Sequence, residues 1–141
     1  MTDLYNLQRF LDAQEKVIDA VYRELGVGRK ASHWMWFIFP QVAGLGRSDT
    51  AKWFAISSRD EAVAYLAHPI LGGRLRRCTE LVNSVQSRTI DEIFGYPDNL
   101  KFHSSMTLFA SVSPEGSVFH KALARYFNGE PDASTSQSLS S

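Results

Sequence analysis

His33, Trp34, Trp36 and Gln41, followed by Arg47 and Ser48 in a glycine-rich turn, are the densest group of chemistry-bearing side chains in this chain. The stretch runs His33-Trp34-Met35-Trp36-Phe37-Ile38-Phe39-Pro40-Gln41, then Gly44-Leu45-Gly46-Arg47-Ser48. Indole faces stack on flat rings, an amide and a hydroxyl donate and accept, and a guanidinium grips anionic oxygens in a bidentate fork. These are the parts of a small-molecule pocket. The same run also reads as a buried core segment ending in a tight turn with a solvated arginine, and residue order does not choose between them. The glycines form no phosphate-binding fingerprint, since Gly-Lys-Ser/Thr and a third glycine are missing. Small residues nonetheless let backbone N–H groups approach an anion, and a helix beginning at Asp49 would add a favourable dipole.

A second group lies far along the chain. Lys101, His103, Ser104 and Ser105 fall on one helical segment, with Lys101 sharing a face with Ser104 and Ser105 at spacings of three and four. Two consecutive serines are poor helix formers, so either a polar pocket wall or close helix packing explains them. Brought together, the two groups make a ligand site. Trp34 or Trp36 would stack on a ring, Arg47 and Lys101 would hold anionic oxygens, with Gln41, Ser48, Ser104 and Ser105 as polar neighbours. His33 or His103 would carry any proton transfer, because histidine titrates near neutral pH. His68 reads as a turn residue before Pro69, and His120 as a solvated position.

Other chemistries lack their residues. The four histidines form no pair at i,i+3 or i,i+4 and there is no His-Glu-x-x-His, so no metal site is expected. No Gly-x-Ser-x-Gly elbow occurs. Cys78, the single cysteine, reads as a small apolar core residue on a helix, and no intrachain disulfide is possible. No cofactor is implied.

Helices must position these groups. Leu4, Leu7, Leu11, Ile18, Val21 and Leu25 recur at threes and fours, with Gln14 as a break, predicting one amphipathic helix of about 22 residues capped by Asp3 and closed by Gly26. The aromatic run is too short for its period to separate helix from strand. Ser48 or Asp49 would cap a short helix carrying Trp53. Ser58-Arg59-Asp60-Glu61 and Thr89-Ile90-Asp91-Glu92 are capping boxes. His68-Pro69 breaks the chain before a long helix with Leu71, Leu75, Cys78, Val82 and Val85 on one face. Asp98 would cap a helix to about Val112, and Ser113-Pro114 would start the last one, stopped by Gly129. Residues 133–141 are serine-rich with almost no apolar content and read as a disordered tail. The expectation is an all-α single domain over residues 1–132.

Composition agrees. A length of 141 residues suits one domain with a core of its own. Fifteen basic residues balance fifteen acidic ones, which argues against a nucleic-acid partner. No apolar run approaches the roughly 20 residues that span a bilayer, and no signal-peptide pattern opens the sequence, so no membrane partner and a cytoplasmic location are expected. Oligomeric state is not legible.

Ser32 to Gln41 with Gly44 to Ser48, Ala64-Tyr65-Leu66-Ala67-His68-Pro69-Ile70-Leu71-Gly72, and Phe94-Gly95, Asp98, Leu100-Lys101 with Ser104 to Phe109 resemble the three motif blocks of a bacterial family of unknown function, numbered 1810. The resemblance spans roughly Leu4 to Asp132. It implies a small, mainly helical cytosolic domain and brings no activity with it. Members sometimes carry the label calpastatin; inhibitors of that type are repeated and disordered, whereas this chain reads as compact and unrepeated. In layout the chain also resembles the NADAR group, which acts on ADP-ribose-like N-glycosides. The functional expectation is therefore a pocket that binds, and in one version hydrolyses, a phosphorylated or nucleotide-like small molecule of ADP-ribose or N-glycoside type. The alternative is a non-catalytic protein–protein interaction module with the aromatic block as its core.

Overall fold

Helix α8 (Asp98–Ala110) runs through the middle of the molecule, and its composition explains why. From Phe102 onward it carries Phe102, Met106, Leu108, Phe109 and Ala110 on several faces, with small hydroxyl residues and His103 between them, and eight of its 13 residues are buried. A helix apolar on all sides has to be surrounded. The computed structural model describes residues 3–140 and shows ten helices and no strand among them. Helices α5 (Arg59–Ala67), α7 (Ile90–Phe94), α9 (Val118–Phe127) and α10 (Ala133–Ser140) pack on α8. Helix α6 (Leu71–Asn83) lies against α2 (Ile18–Gly26), α5 and α9, and α1 (Gln8–Glu15) meets α3 (Met35–Ile38). The all-α expectation holds, and no described helix is long and apolar enough to cross a membrane.

The local signals act largely as their chemistry requires. Ser48 opens α4 (Asp49–Trp53), its hydroxyl accepting from the Ala51 N–H. Thr89 and Glu92 form a complete capping box, and Gly95 stops α7 at a φ of 75°. The Ser58 box is half made: Ser58 accepts from the Glu61 N–H, but the Glu61 carboxylate turns to Ser57 and Arg9 instead. His68 does cap locally, its Nδ1 accepting from the N–H groups of Ile70 and Leu71.

Three expectations need correction. The first helix is two helices, broken at Lys16 and Val17. Gln14, which interrupted the apolar stripe, is buried there and donates to the Phe37 carbonyl and the Tyr65 hydroxyl. These tertiary bonds set the chain's path where no glycine or proline announces a stop. The last long helix begins at Val118, capped by Ser117, and not at Pro114. Gly116 takes a φ of 82°, and the Ser117 hydroxyl accepts from the His120 N–H while bonding the His120 ring, which is therefore not simply solvated. The tail expected to be disordered forms α10 over residues 133–140, and only residue 141 of it lies outside the described residues. Its low apolar content, with Leu139 packed on the core, is supplemented by polar docking. The Asp132 carboxylate accepts from the Thr135 N–H and hydroxyl and from Ser104, and the Asp132 N–H donates to Thr107.

Candidate functional site

Residues 43–55 leave the body of the protein as an excursion whose two ends are pinned together. The Ala43 N–H donates to the Ile56 carbonyl and the Ile56 N–H to the Gln41 carbonyl, both at 2.8 Å, across a single parallel bridge between Val42 and Ile56. Gly44 adopts a φ of 99°, which favours glycine. At Gly46 a β-carbon would stand 2.4 Å from the Ala51 Cβ, so only glycine lets the turn lie against α4. From the other side, Arg9 donates to the carbonyls of Trp53 and Ala55 and to Glu61 at 2.9 Å. Both partners of that ion pair are nearly buried, which fixes the far foot of the excursion on α1 and α5.

A cleft borders this excursion in two adjoining lobes, one between it and the start of α8 and one within residues 36–55. The larger, about 330 Å³, is walled by Trp36, Gln41, Leu45, Arg47 and Ser48 on one side and by Pro97, Leu100 and Lys101 on the other. The smaller, about 150 Å³, is lined by Trp36, Gln41, Val42, Lys52, Phe54 and neighbouring small residues. The lobes share Trp36, Gln41, Gly46 and Ala51. Arg47, Lys101 and Lys52 are the charged wall residues, and no carboxylate, histidine or thiol stands among them. The Lys101 ammonium lies 4.8 Å from the centre of the Trp36 ring and 3.4 Å from an Asp98 oxygen. Arg47 is exposed and has no ion pair or hydrogen bond among the described residues.

The sequence candidates divide into two sets. Trp36, Gln41, Arg47, Ser48 and Lys101 converge on the cleft from two distant segments. The remaining candidates do not reach it. Trp34 is fully buried, with its Nε1 donating to Glu24 at 2.9 Å. His33 is exposed and lines neither lobe. His103 bonds the Glu130 carbonyl at 2.8 Å and stacks flat on Phe127. Ser104 is buried against Asp132, and Ser105 is buried with no partner for its hydroxyl. The paired serines therefore serve close packing around α8. Helix α4, at five residues, is too short for its dipole to matter much.

A family described as "protein of unknown function (DUF1810)" matches residues 4–139. The chain belongs to this family. It is similar to the crystal structure of the conserved hypothetical protein Rv1873 from Mycobacterium tuberculosis, with 51% identity over 99% of each chain and a TM-score of 0.97. No curated protein matches. The family match includes most of α10, consistent with that helix being part of the fold rather than an appendage.

Several residues that shape this family member's cleft were not singled out by sequence. Asp98 was read as a helix cap, yet it holds Lys30 at 2.9 Å with one oxygen and Lys101 at 3.4 Å with the other. Glu24 supports the aromatic block from below. Burial opposes its ionisation, but hydrogen bonds from the Ala31 N–H, the Ser32 hydroxyl and N–H, and the Trp34 indole outweigh that and pull its carboxyl down to about 2. Pro97, Leu100 and Phe54 give apolar wall. Their common sign in sequence is position beside a motif block, which says nothing of direction. Cys78 is buried and its thiol is pushed up to about 12 by that burial, as the core reading expects.

Proposed function

We propose that the two-lobed cleft binds a phosphorylated, ring-bearing small molecule of the nucleotide or ADP-ribose class. The observation that carries this reading is the meeting of Arg47 and Lys101 in one cleft whose walls contain no carboxylate. An unpaired guanidinium and an ammonium in a concave site favour an anion by charge and by fork geometry. Trp36 offers an indole face beside them, and Gln41 and Ser48 supply neutral hydrogen-bonding groups. The combined size fits a nucleotide-scale ligand held partly open to solvent.

Binding is favoured over hydrolysis within this reading. General acid–base catalysis needs a titrating group within reach of the bond that breaks. The cleft walls hold none, and the histidine candidates lie elsewhere. The cytoplasm, where phosphorylated metabolites are made and kept, is the compartment this reading implies.

Thermal shift against a panel of nucleotides, ADP-ribose and sugar phosphates tests it. A ligand at 100 times its dissociation constant stabilises a fold by about 2.7 kcal/mol, which a melting curve resolves. The wild-type protein is expected to be stabilised by at least one phosphorylated ring compound, and Arg47→Ala to lose that shift. An Arg47→Ala protein with the wild-type shift profile would sink the proposal.

A further inference from the structure

We infer that Gln41 reads the ring of the ligand, and that the ring it selects presents a hydrogen-bond donor beside an acceptor. This rests on the reading of the cleft as an anion site. Gln41 lines both lobes, at the place where the cationic one adjoins the apolar one. Its backbone is fixed, because its carbonyl accepts from the Ile56 N–H at 2.8 Å and its neighbour Val42 forms the bridge to that same residue. Its amide makes no hydrogen bond to the protein among the described residues, and it is only half exposed. Gln14 shows the contrast: its amide is fully buried and is bonded to Phe37 and Tyr65, whereas that of Gln41 stands at the cavity wall with no protein partner among the described residues. A primary amide offers one donor group and one acceptor side by side, and its best partner is the complementary pair.

The lobes divide the work. Arg47 and Lys101 are in the larger one and take the phosphate. The smaller is walled by Trp36, Phe54 and Val42, with a single cation in Lys52, and suits a flat ring. The contact of Gly46 with Ala51 borders both, so ring and phosphate lie on either side of it with Gln41 facing each. Two ring types carry an adjacent donor and acceptor of the required kind. An aminopurine does so at its exocyclic amine and neighbouring ring nitrogen, the pair that glutamine reads in adenine. An aromatic carboxamide does so within one substituent.

Titration calorimetry with four probes separates these cases. The probes are AMP, purine ribonucleoside 5′-monophosphate (which lacks only the amine), nicotinamide mononucleotide and ribose 5-phosphate. They are applied to wild-type protein, Gln41→Leu and Arg47→Ala, with melting curves confirming that each variant folds. Wild-type protein is expected to bind AMP or nicotinamide mononucleotide roughly five- to tenfold more tightly than the deaminated purine. The tighter of the two identifies the ring type. Gln41→Leu is expected to erase that preference, weakening the preferred ring-bearing probe to the level of the deaminated purine. A preference that survives Gln41→Leu overturns the inference. So does the lack of any preference in a wild-type protein whose ribose 5-phosphate binding still depends on Arg47, an outcome that leaves the anion site standing. If Arg47→Ala changes none of the four affinities, the anion site falls and this inference with it.

Discussion

Trp34 and Trp36 sit two residues apart, and each has a lysine ammonium over its ring, Lys30 at 5.1 Å and Lys101 at 4.8 Å. Both lysines pair with the same carboxylate, Asp98. By residue type and by charge the two halves of the aromatic block are alike, and their roles still differ. Trp34 is wholly buried, and its N–H is taken by Glu24. Trp36 is half-buried, its N–H has no acceptor among the described residues, and one side of it faces the cleft. What separates a core aromatic from an available one is therefore the state of its polar atom. A donor already satisfied belongs to the fold; a donor left open beside a cavity is free to meet a ligand.

Substitution should split the pair. Trp34→Ala is expected to lower unfolding stability by about 3–5 kcal/mol, through the cavity it leaves and the bond it deletes. Trp36→Ala should cost under about 1.5 kcal/mol. Chemical denaturation of both variants measures this, and equal losses would erase the distinction. Glu24→Ala comes next, at about 2–3 kcal/mol, because it leaves the buried Trp34 N–H without a partner. The same carboxylate gives a pH signature. Its carboxyl lies at about 2 in the fold against an ordinary 4.5, so the folded state favours the ionised form. The stability this gives is fully present above the ordinary value and is lost as pH falls through 4.5 towards 2. Wild-type melting temperature should therefore drop more steeply across that window than that of Glu24→Gln.

The same contrast explains how much could be read from sequence. Signals that act within a few residues were legible: the Thr89 box, the Ser48 cap, the His68-Pro69 break, and the all-helical pattern itself. Five of the proposed site residues, Trp36, Gln41, Arg47, Ser48 and Lys101, do meet in one cleft, because motif blocks collect residues whose geometry matters together. The block could not reveal that its histidine and first tryptophan lie away from the cleft; Trp34 turns instead to Glu24, which stands on α2 outside the block. Helix ends set by tertiary bonds were equally hidden. Nothing local at Lys16 stops a helix, and in residues 133–140 Leu139 is the single large apolar residue. Asp132 supports that helix through Thr135, three residues on, and through Ser104, a contact across the fold that the sequence does not announce.

Asp98 joins the two halves, so neutralising it should move them in opposite directions. Asp98→Asn is expected to destabilise the fold by about 1–2 kcal/mol, because Lys30 is nearly buried and loses its counter-charge. It should raise anion affinity about threefold, since Lys101 keeps its charge while a neighbouring negative one is removed. Paired unfolding and phosphate-ligand titrations test both signs. Loss of stability without a gain in affinity would mean that Lys101 answers to Asp98 alone and not to the cleft.

Arg47 provides the smallest structural effect and the sharpest discrimination. It is exposed, lies in a turn whose conformation depends on Gly44, Gly46 and Ser48, and holds no other residue in place. Replacing it with alanine removes no packed surface and strands no buried partner. Arg47→Ala should thus change unfolding stability by less than about 0.5 kcal/mol. Its effect on ligand-induced stabilisation should be large by comparison, because a charge-assisted bond to an anion is worth about 1.5–3 kcal/mol. A residue of the Trp34 kind shows the reverse ratio, with a large effect on the fold and an indirect one on binding. Measured side by side, the two ratios decide whether the block from His33 to Ser48 is one structural unit or a core half joined to a binding half. If Arg47→Ala unfolds the protein as Trp34→Ala does, the block is a single structural unit and the cleft loses its separate identity.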